Sequence, residues 1–158
     1  MSQTPNISIE KTLAQRLENI PFLALWLFLI VFAIRFLFFL ISDDGGGDAI
    51  ARVSMARNIA DHGMWLFAGV WQPLPFYLIA GALSIYNDPT FTPRFLSLLY
   101  STFAIFPFFY LIKREFNLVT ATLTIIFLAF YSTHIFFSII SYAESLVILL
   151  IILSFYYF

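Results

Sequence analysis

The chain has 158 residues, 61% of them hydrophobic and only 11% charged, against about 25% charged and about 45–50% apolar in a soluble domain. Phe alone occurs 21 times, more apolar surface than one small core hides from water, so the bilayer is the expected solvent. A net charge of −1 with no basic block excludes nucleic acid as a partner, and the lack of Cys removes disulfide and thiolate chemistry.

Residues 8–20 carry Lys11 and Arg16 among Glu10 and Glu18, with Leu13, Leu17 and Ile20 at helical spacing. That pattern predicts a short amphipathic helix along the membrane surface. A first span follows at 21–42, about 33 Å as a helix. The run is too long for a signal peptide's apolar region and lacks a small-x-small cleavage site, so it reads as a retained span. Arg35 interrupts it and is expected to snorkel to the head groups.

Asp43-Asp44-Gly45-Gly46-Gly47-Asp48 then forms a glycine hinge bearing three carboxylates. Residues 48–62 read as a helix with Asp48 as N-cap and Gly63 as its stop. Ala49, Val53, Ala56 and Ala60 make one small apolar face, with Arg52, Arg57 and Asp61 elsewhere. After a link containing Trp65 and Trp71 comes Pro73-Leu74-Pro75, opening an apolar stretch at 74–86. At 13 residues it has the length of an interfacial or re-entrant helix. Further spans are expected at 94–112, ended by Lys113-Arg114, and at 117–139. The last apolar run, 145–158, is 14 residues and incomplete as a span, so the sequence is expected to be the N-terminal piece of a longer protein.

The segment 74–86 decides the expected topology. If it lies in the interface, Lys113-Arg114 share a side with Lys11 and Arg16, as the positive-inside tendency prefers. The expectation is then a cytoplasmic N-terminus, an external loop at 43–93 and Glu144 on that same outer face. The fold class expected is an all-α polytopic membrane protein, multi-pass in the plasma membrane of a bacterium.

Carboxylates are scarce, and five of the nine acids (Asp43, Asp44, Asp48, Asp61 and Asp88) fall in 43–93. Asp48 either caps its helix or serves as a general base, and with Glu144 it is a candidate to hold a divalent cation against a lipid-linked phosphate. Asp43 and Asp44 are alternatives for that role or solvated turn residues. Glu144 lies between apolar runs, where a lone carboxylate is costly unless interfacial, partnered or functional. Arg52 can pair with Asp48 at i,i+4. Arg94 can pair with a lipid phosphate or anchor its span. His134 is either a ligand or, more commonly for such a residue, an interfacial His bonded to a backbone carbonyl, and His62 looks like an ordinary helix-end residue. Trp65, Trp71, Phe76, Tyr77 and Tyr86 suit the head-group zone. No P-loop, zinc signature, Ser/His/Asp set or Rossmann fingerprint is present.

The order and spacing of several short motifs resemble one family. They are Gly47-Asp48-Ala49 with Arg52, Trp71-Gln72-Pro73-Leu74-Pro75-Phe76-Tyr77-Leu78, Pro93-Arg94-Phe95-Leu96-Ser97, the turn at 113–116, and Ser141-Tyr142-Ala143-Glu144-Ser145. Together they resemble the N-terminal part of GT-C type membrane glycosyltransferases, the superfamily of dolichyl-phosphate-mannose protein mannosyltransferases and the aminoarabinose transferase of lipid A. The resemblance covers nearly all of 21–158. It implies a GT-C-like transmembrane bundle with juxtamembrane helices in the first external loop. It also implies transfer of a sugar from a polyprenyl-phosphate donor to a glycan, lipid or protein acceptor outside the membrane, and further spans that this stretch lacks, leaving it inactive alone.

Residue by residue, Asp48 matches the family's essential acid in the first external loop, with Asp43 or Asp44 as substitutes, and Glu144 matches the acid of the next external loop. Where many relatives carry a basic residue or His in the Pro-containing motif, this chain has Pro73-Leu74-Pro75. Two rival readings are a lipid flippase or transporter fragment, which would bury ionisable residues deep within several spans, and a non-enzymatic membrane subunit.

Overall fold

Apolar residues recurring with little polar interruption make almost every described segment a helix. The computed structural model describes residues 6–20, 22–42, 47–63 and 72–158; Asp43, Asp44, Trp65 and Trp71 lie outside them. The helices are α1 (Asn6–Glu18), α2 (Leu23–Ile41), α3 (Gly47–His62), α4 (Pro73–Ile85), α5 (Phe91–Phe103), α6 (Ile105–Glu115), α7 (Leu118–Phe130), α8 (Ser132–Ile139) and α9 (Glu144–Tyr157), with no strand among the described residues.

Among the described residues, two stretches are long and apolar enough to cross a membrane. They are α2, with 19 residues, and the joined α5–α6, Phe91–Glu115, with 25. A third is reached if α7 and α8 count as one broken span. The outer surface supports a lipid solvent: Trp26, Leu37, Leu40, Phe127 and Phe130 are all more than half exposed. The polar residues of α5 do the opposite. Arg94, Ser97, Ser101 and Thr102 are buried, and the three hydroxyls donate back to helix carbonyls: Ser97 to Pro93 O, Ser101 and Thr102 to Leu98 O. In hydrocarbon a polar group needs an internal partner, so the polar face turns inward.

The span expected at 94–112 begins earlier, at Phe91. Asp88 Oδ1 accepts from the backbone N–H groups of Thr90 at 2.9 Å and Phe91 at 2.8 Å, fastening the turn ahead of the helix. The α5–α6 joint falls at Ala104, three residues before Pro107, whose missing N–H leaves the carbonyl of Phe103 without its helical donor. The span expected as continuous over 117–139 is broken instead. It bends by 64° at Tyr131, whose backbone is extended. No Pro or Gly marks that bend. It turns α8 toward α2 and α5, where His134 and the carbonyl of Ile139 find partners.

Three apolar clusters hold the bundle. Ala24, Leu27 and Val31 of α2 meet Ile105, Phe109, Ala121, Ile125 and Ala129 of α6 and α7. Along α2, Phe28, Phe32, Phe36 and Phe39 stack successively, with centroids 6.4, 5.6 and 5.9 Å apart. Ala56 and Ile59 of α3 pack on Phe76, Ile79, Ala80 and Leu83 of α4, so Phe76 is enclosed and does not face the head groups. The third cluster, Phe39, Ala49, Leu98, Ile139 and Ile140, joins α2, α3, α5 and α8 at one end of the bundle.

Helix α4 has 13 residues, about 20 Å, and does not pass the length of a span. Its first turn, Pro75 and Phe76, shares a pocket with Glu144. Past its last turn, Tyr86 packs on Phe91, which packs on Phe39 near the end of α2. Both ends of α4 therefore lie at the same end of the bundle. The opposite end carries Lys113 beside Leu23, and Arg114, whose guanidinium donates to the carbonyls of Tyr156 and Phe155.

Candidate functional site

Helix α3 brings its charges to the bundle through its small apolar face. Ala49 and Ala56 are buried, at 2% and 0% exposure, and such side chains let the backbone approach closely. Gly63, at φ +63°, ends the helix in the left-handed conformation and donates its N–H to Ile59 O, as expected of the stop. Asp48 is not the N-cap. The helix already includes Gly47, so Asp48 sits in the first turn, exposed, where a carboxylate complements the positive helix terminus.

The i,i+4 partner offered by Asp48 is not the acid that Arg52 pairs with. Arg52 lies on the inward side of α3 with its side chain only 13% exposed, and its Nη1 meets Glu144 Oε2 at 3.4 Å. Its guanidinium also sits 5.1 Å from the centroid of the Tyr142 ring. Glu144 opens α9 in its first turn, so both the helix terminus and Arg52 compensate its charge. The pair borders a pocket of about 370 Å³ between α3, α4, α8 and α9, walled by Pro75, Phe76, Phe137, Val147 and Ile148, with Gln72 at its edge.

Arg94 is buried to 7% exposure and acts as a latch. Its Nε donates to Ile139 O at 2.9 Å, and its Nη2 donates to Phe39 O at 2.9 Å and to Ser42 O. The guanidinium also lies 4.6 Å from the Phe39 ring centroid. One side chain thus ties the ends of α2 and α8 to α5, an anchoring role inside the protein rather than at its surface. Arg94 also lines a second, smaller pocket of about 200 Å³ with Ala49, Ile50, Val53, Pro89, Thr90 and Ser141.

Sequence reasoning missed one pair altogether. Arg35 does not snorkel; it is completely buried, and its Nη2 lies 3.1 Å from His134 Nδ1. A guanidinium has only donors, so Nδ1 accepts and the imidazole is neutral with its proton on Nε2. His134 is instead enclosed in the bundle, 8% exposed, with Arg35 as its partner. The signal lay in the sequence as two isolated ionisable residues in apolar runs, but 99 residues separate them. Arg35 Nε and Nη1 have no hydrogen-bond partner.

Asp43 and Asp44 lie outside the described residues. Among the described residues no group of three or more His, Asp or Glu side chains assembles to hold a metal ion, and Glu144 is engaged by Arg52. In comparisons with family models, curated proteins and solved structures, the chain matches none.

Proposed function

We propose that the chain forms the donor-binding part of a membrane glycosyltransferase, which moves a sugar from a polyprenyl-phosphate carrier to an acceptor hydroxyl at the membrane surface. The observation that carries this reading is the Arg52–Glu144 pair at the border of an apolar-walled pocket. A lipid-linked phosphate presents the matching chemistry: an apolar tail for Phe76, Phe137, Val147 and Ile148, and an anionic head for Arg52. The motif resemblance points the same way.

In this reading the acceptor oxygen attacks the anomeric carbon as the bond from that carbon to the phosphate oxygen breaks. The electron pair leaves with the polyprenyl phosphate, whose charge Arg52 offsets, and the acceptor proton passes to a carboxylate. Asp48, one turn before Arg52 on α3, is the base; Glu144 holds Arg52 in position. Sugar transfer by the intact gene product tests this, using a polyprenyl-phosphate sugar donor and the variants D48N, R52M and E144Q. Loss of at least about 100-fold in D48N is expected of a general base. Wild-type turnover in all three would overturn the reading.

A second reading, transport, is favoured by one observation: Arg35 and His134 are ionisable residues enclosed deep in the bundle. Lipid or ion flux across liposomes that is abolished by R35M, with sugar transfer unaffected, would favour it.

A further inference from the structure

At the end of the bundle opposite Glu144, a cleft of about 320 Å³ lies between the last turn of α1, the start of α2, α6 and the start of α7. Its polar side chains are Glu18, Tyr110 and Lys113, and the rest of its wall is apolar. Glu18 and Lys113 bring opposite charges to one cleft, yet they do not pair. Among the described residues the ion pairs are Arg52–Glu144, Arg57–Asp61 and Arg114–Glu115. Arg114, beside Lys113 in sequence, is committed elsewhere, donating to Glu115 and to the carbonyls of Tyr156 and Phe155. The rim also leaves apolar and aromatic surface open, with Ile20, Phe22 and Tyr110 at 41%, 78% and 45% exposure. A simple anion would leave Glu18 unmatched, a simple cation would leave Lys113 unmatched, and either would waste the apolar wall. A ligand with both charges and an apolar body matches all three.

We propose that this cleft binds a phospholipid with a zwitterionic, primary-amine headgroup. A phosphate oxygen accepts from Lys113 Nζ, the headgroup ammonium donates to the Glu18 carboxylate, and the glycerol and first acyl carbons lie against Leu17, Leu23 and the Tyr110 ring. The depth agrees. The apolar span α2 starts at Leu23, and Lys113 lies in the last turn of the span Phe91–Glu115, so the cleft stands where hydrocarbon gives way to headgroups. A half-exposed tyrosine is also the aromatic residue expected at that level. None of the cleft's residues lines the pocket beside Glu144, so this inference does not depend on sugar transfer there.

The test is native mass spectrometry of the intact gene product released from detergent micelles. The probes are dioleoyl phosphatidylethanolamine, dioleoyl phosphatidylglycerol, which lacks the amine, and phosphoethanolamine, which lacks the acyl chains. Wild type is expected to retain the ethanolamine lipid about threefold better than the glycerol lipid, the size of effect that one exposed charge pair supports. E18Q should remove that preference, and E18K should reverse it. K113Q should weaken retention of both lipids about threefold. All three changes are at exposed positions and leave the apolar clusters intact. K11Q, on α1 but outside the cleft, should match wild type. Equal retention of the two lipids by wild type, or an unchanged preference in E18Q, would overturn the amine headgroup. Retention unchanged in both E18K and K113Q would overturn the site. Phosphoethanolamine bound as tightly as the lipid would overturn the lipid as its occupant.

Discussion

Arg52 Nη1 and Glu144 Oε2 stand 3.4 Å apart although 92 residues separate them, and this contact joins the start of α9 to the inner face of α3. The Glu144 side chain is 43% exposed, so solvent screens the pair and its stabilising contribution is about 1 kcal/mol or less. E144Q is therefore expected to shift the unfolding midpoint little while removing sugar transfer. Parallel unfolding and transfer measurements check this. A large loss of stability would make Glu144 a structural residue instead.

Arg35 and His134 lead to the opposite expectation, because both are enclosed. Replacing His134 by Leu leaves three guanidinium nitrogens unpaired and should destabilise by about 1–3 kcal/mol. Replacing Arg35 by Met removes the buried charge but leaves His134 Nδ1 without its donor, so its cost should be smaller than that of the His change. In the double variant R35M/H134L the cost of the single His change should vanish. A double-mutant cycle in micelles reads the coupling; strictly additive effects would count against the pair.

Arg94 donates to carbonyls at the ends of two other helices, a fork that Lys cannot reproduce. R94K is expected to cost about 2–4 kcal/mol through the lost hydrogen bonds. Thermal unfolding of both proteins in micelles reads the loss. Stability equal to wild type in R94K would show that a point charge suffices there.

Asp88 makes a pH-dependent contribution outside the spans. Backbone N–H groups of Phe91 and then Thr90 hold its carboxylate below the ordinary 3.8. A depressed folded pKa means stability that is present above the unfolded pKa and lost as pH falls through the folded value. The thermal midpoint of wild type should drop below about pH 4, and D88N should drop less over the same range. Equal drops in both proteins would remove Asp88 from the account.

Much of the architecture was legible from local pattern, and the reason is chemical. The run at 21–42, the short stretch at 74–86 and Gly63 as a stop depend on hydrophobic length and on one residue's backbone freedom, both properties of adjacent residues. The helix expected at 48–62 is Gly47–His62, and the one expected at 74–86 is Pro73–Ile85. The bend at Tyr131 has no such local cause. It accompanies contacts that α8 makes with Arg35 and Arg94, partners distant in sequence, so continuous apolar periodicity over 117–139 could not reveal it.

The sequence by itself determined that this is an all-helical chain with apolar helices long enough for a bilayer, because composition and run length decide which solvent a segment needs. Tertiary structure alone decided the partners of the charges. Asp48 stood four residues from Arg52, yet Arg52 faces Glu144; Arg35 had a route to the head groups, yet it meets His134. Pairing inside a bundle depends on which helix faces pack together, and that is settled by small residues such as Ala49 and Ala56 letting α3 approach, not by spacing along the chain.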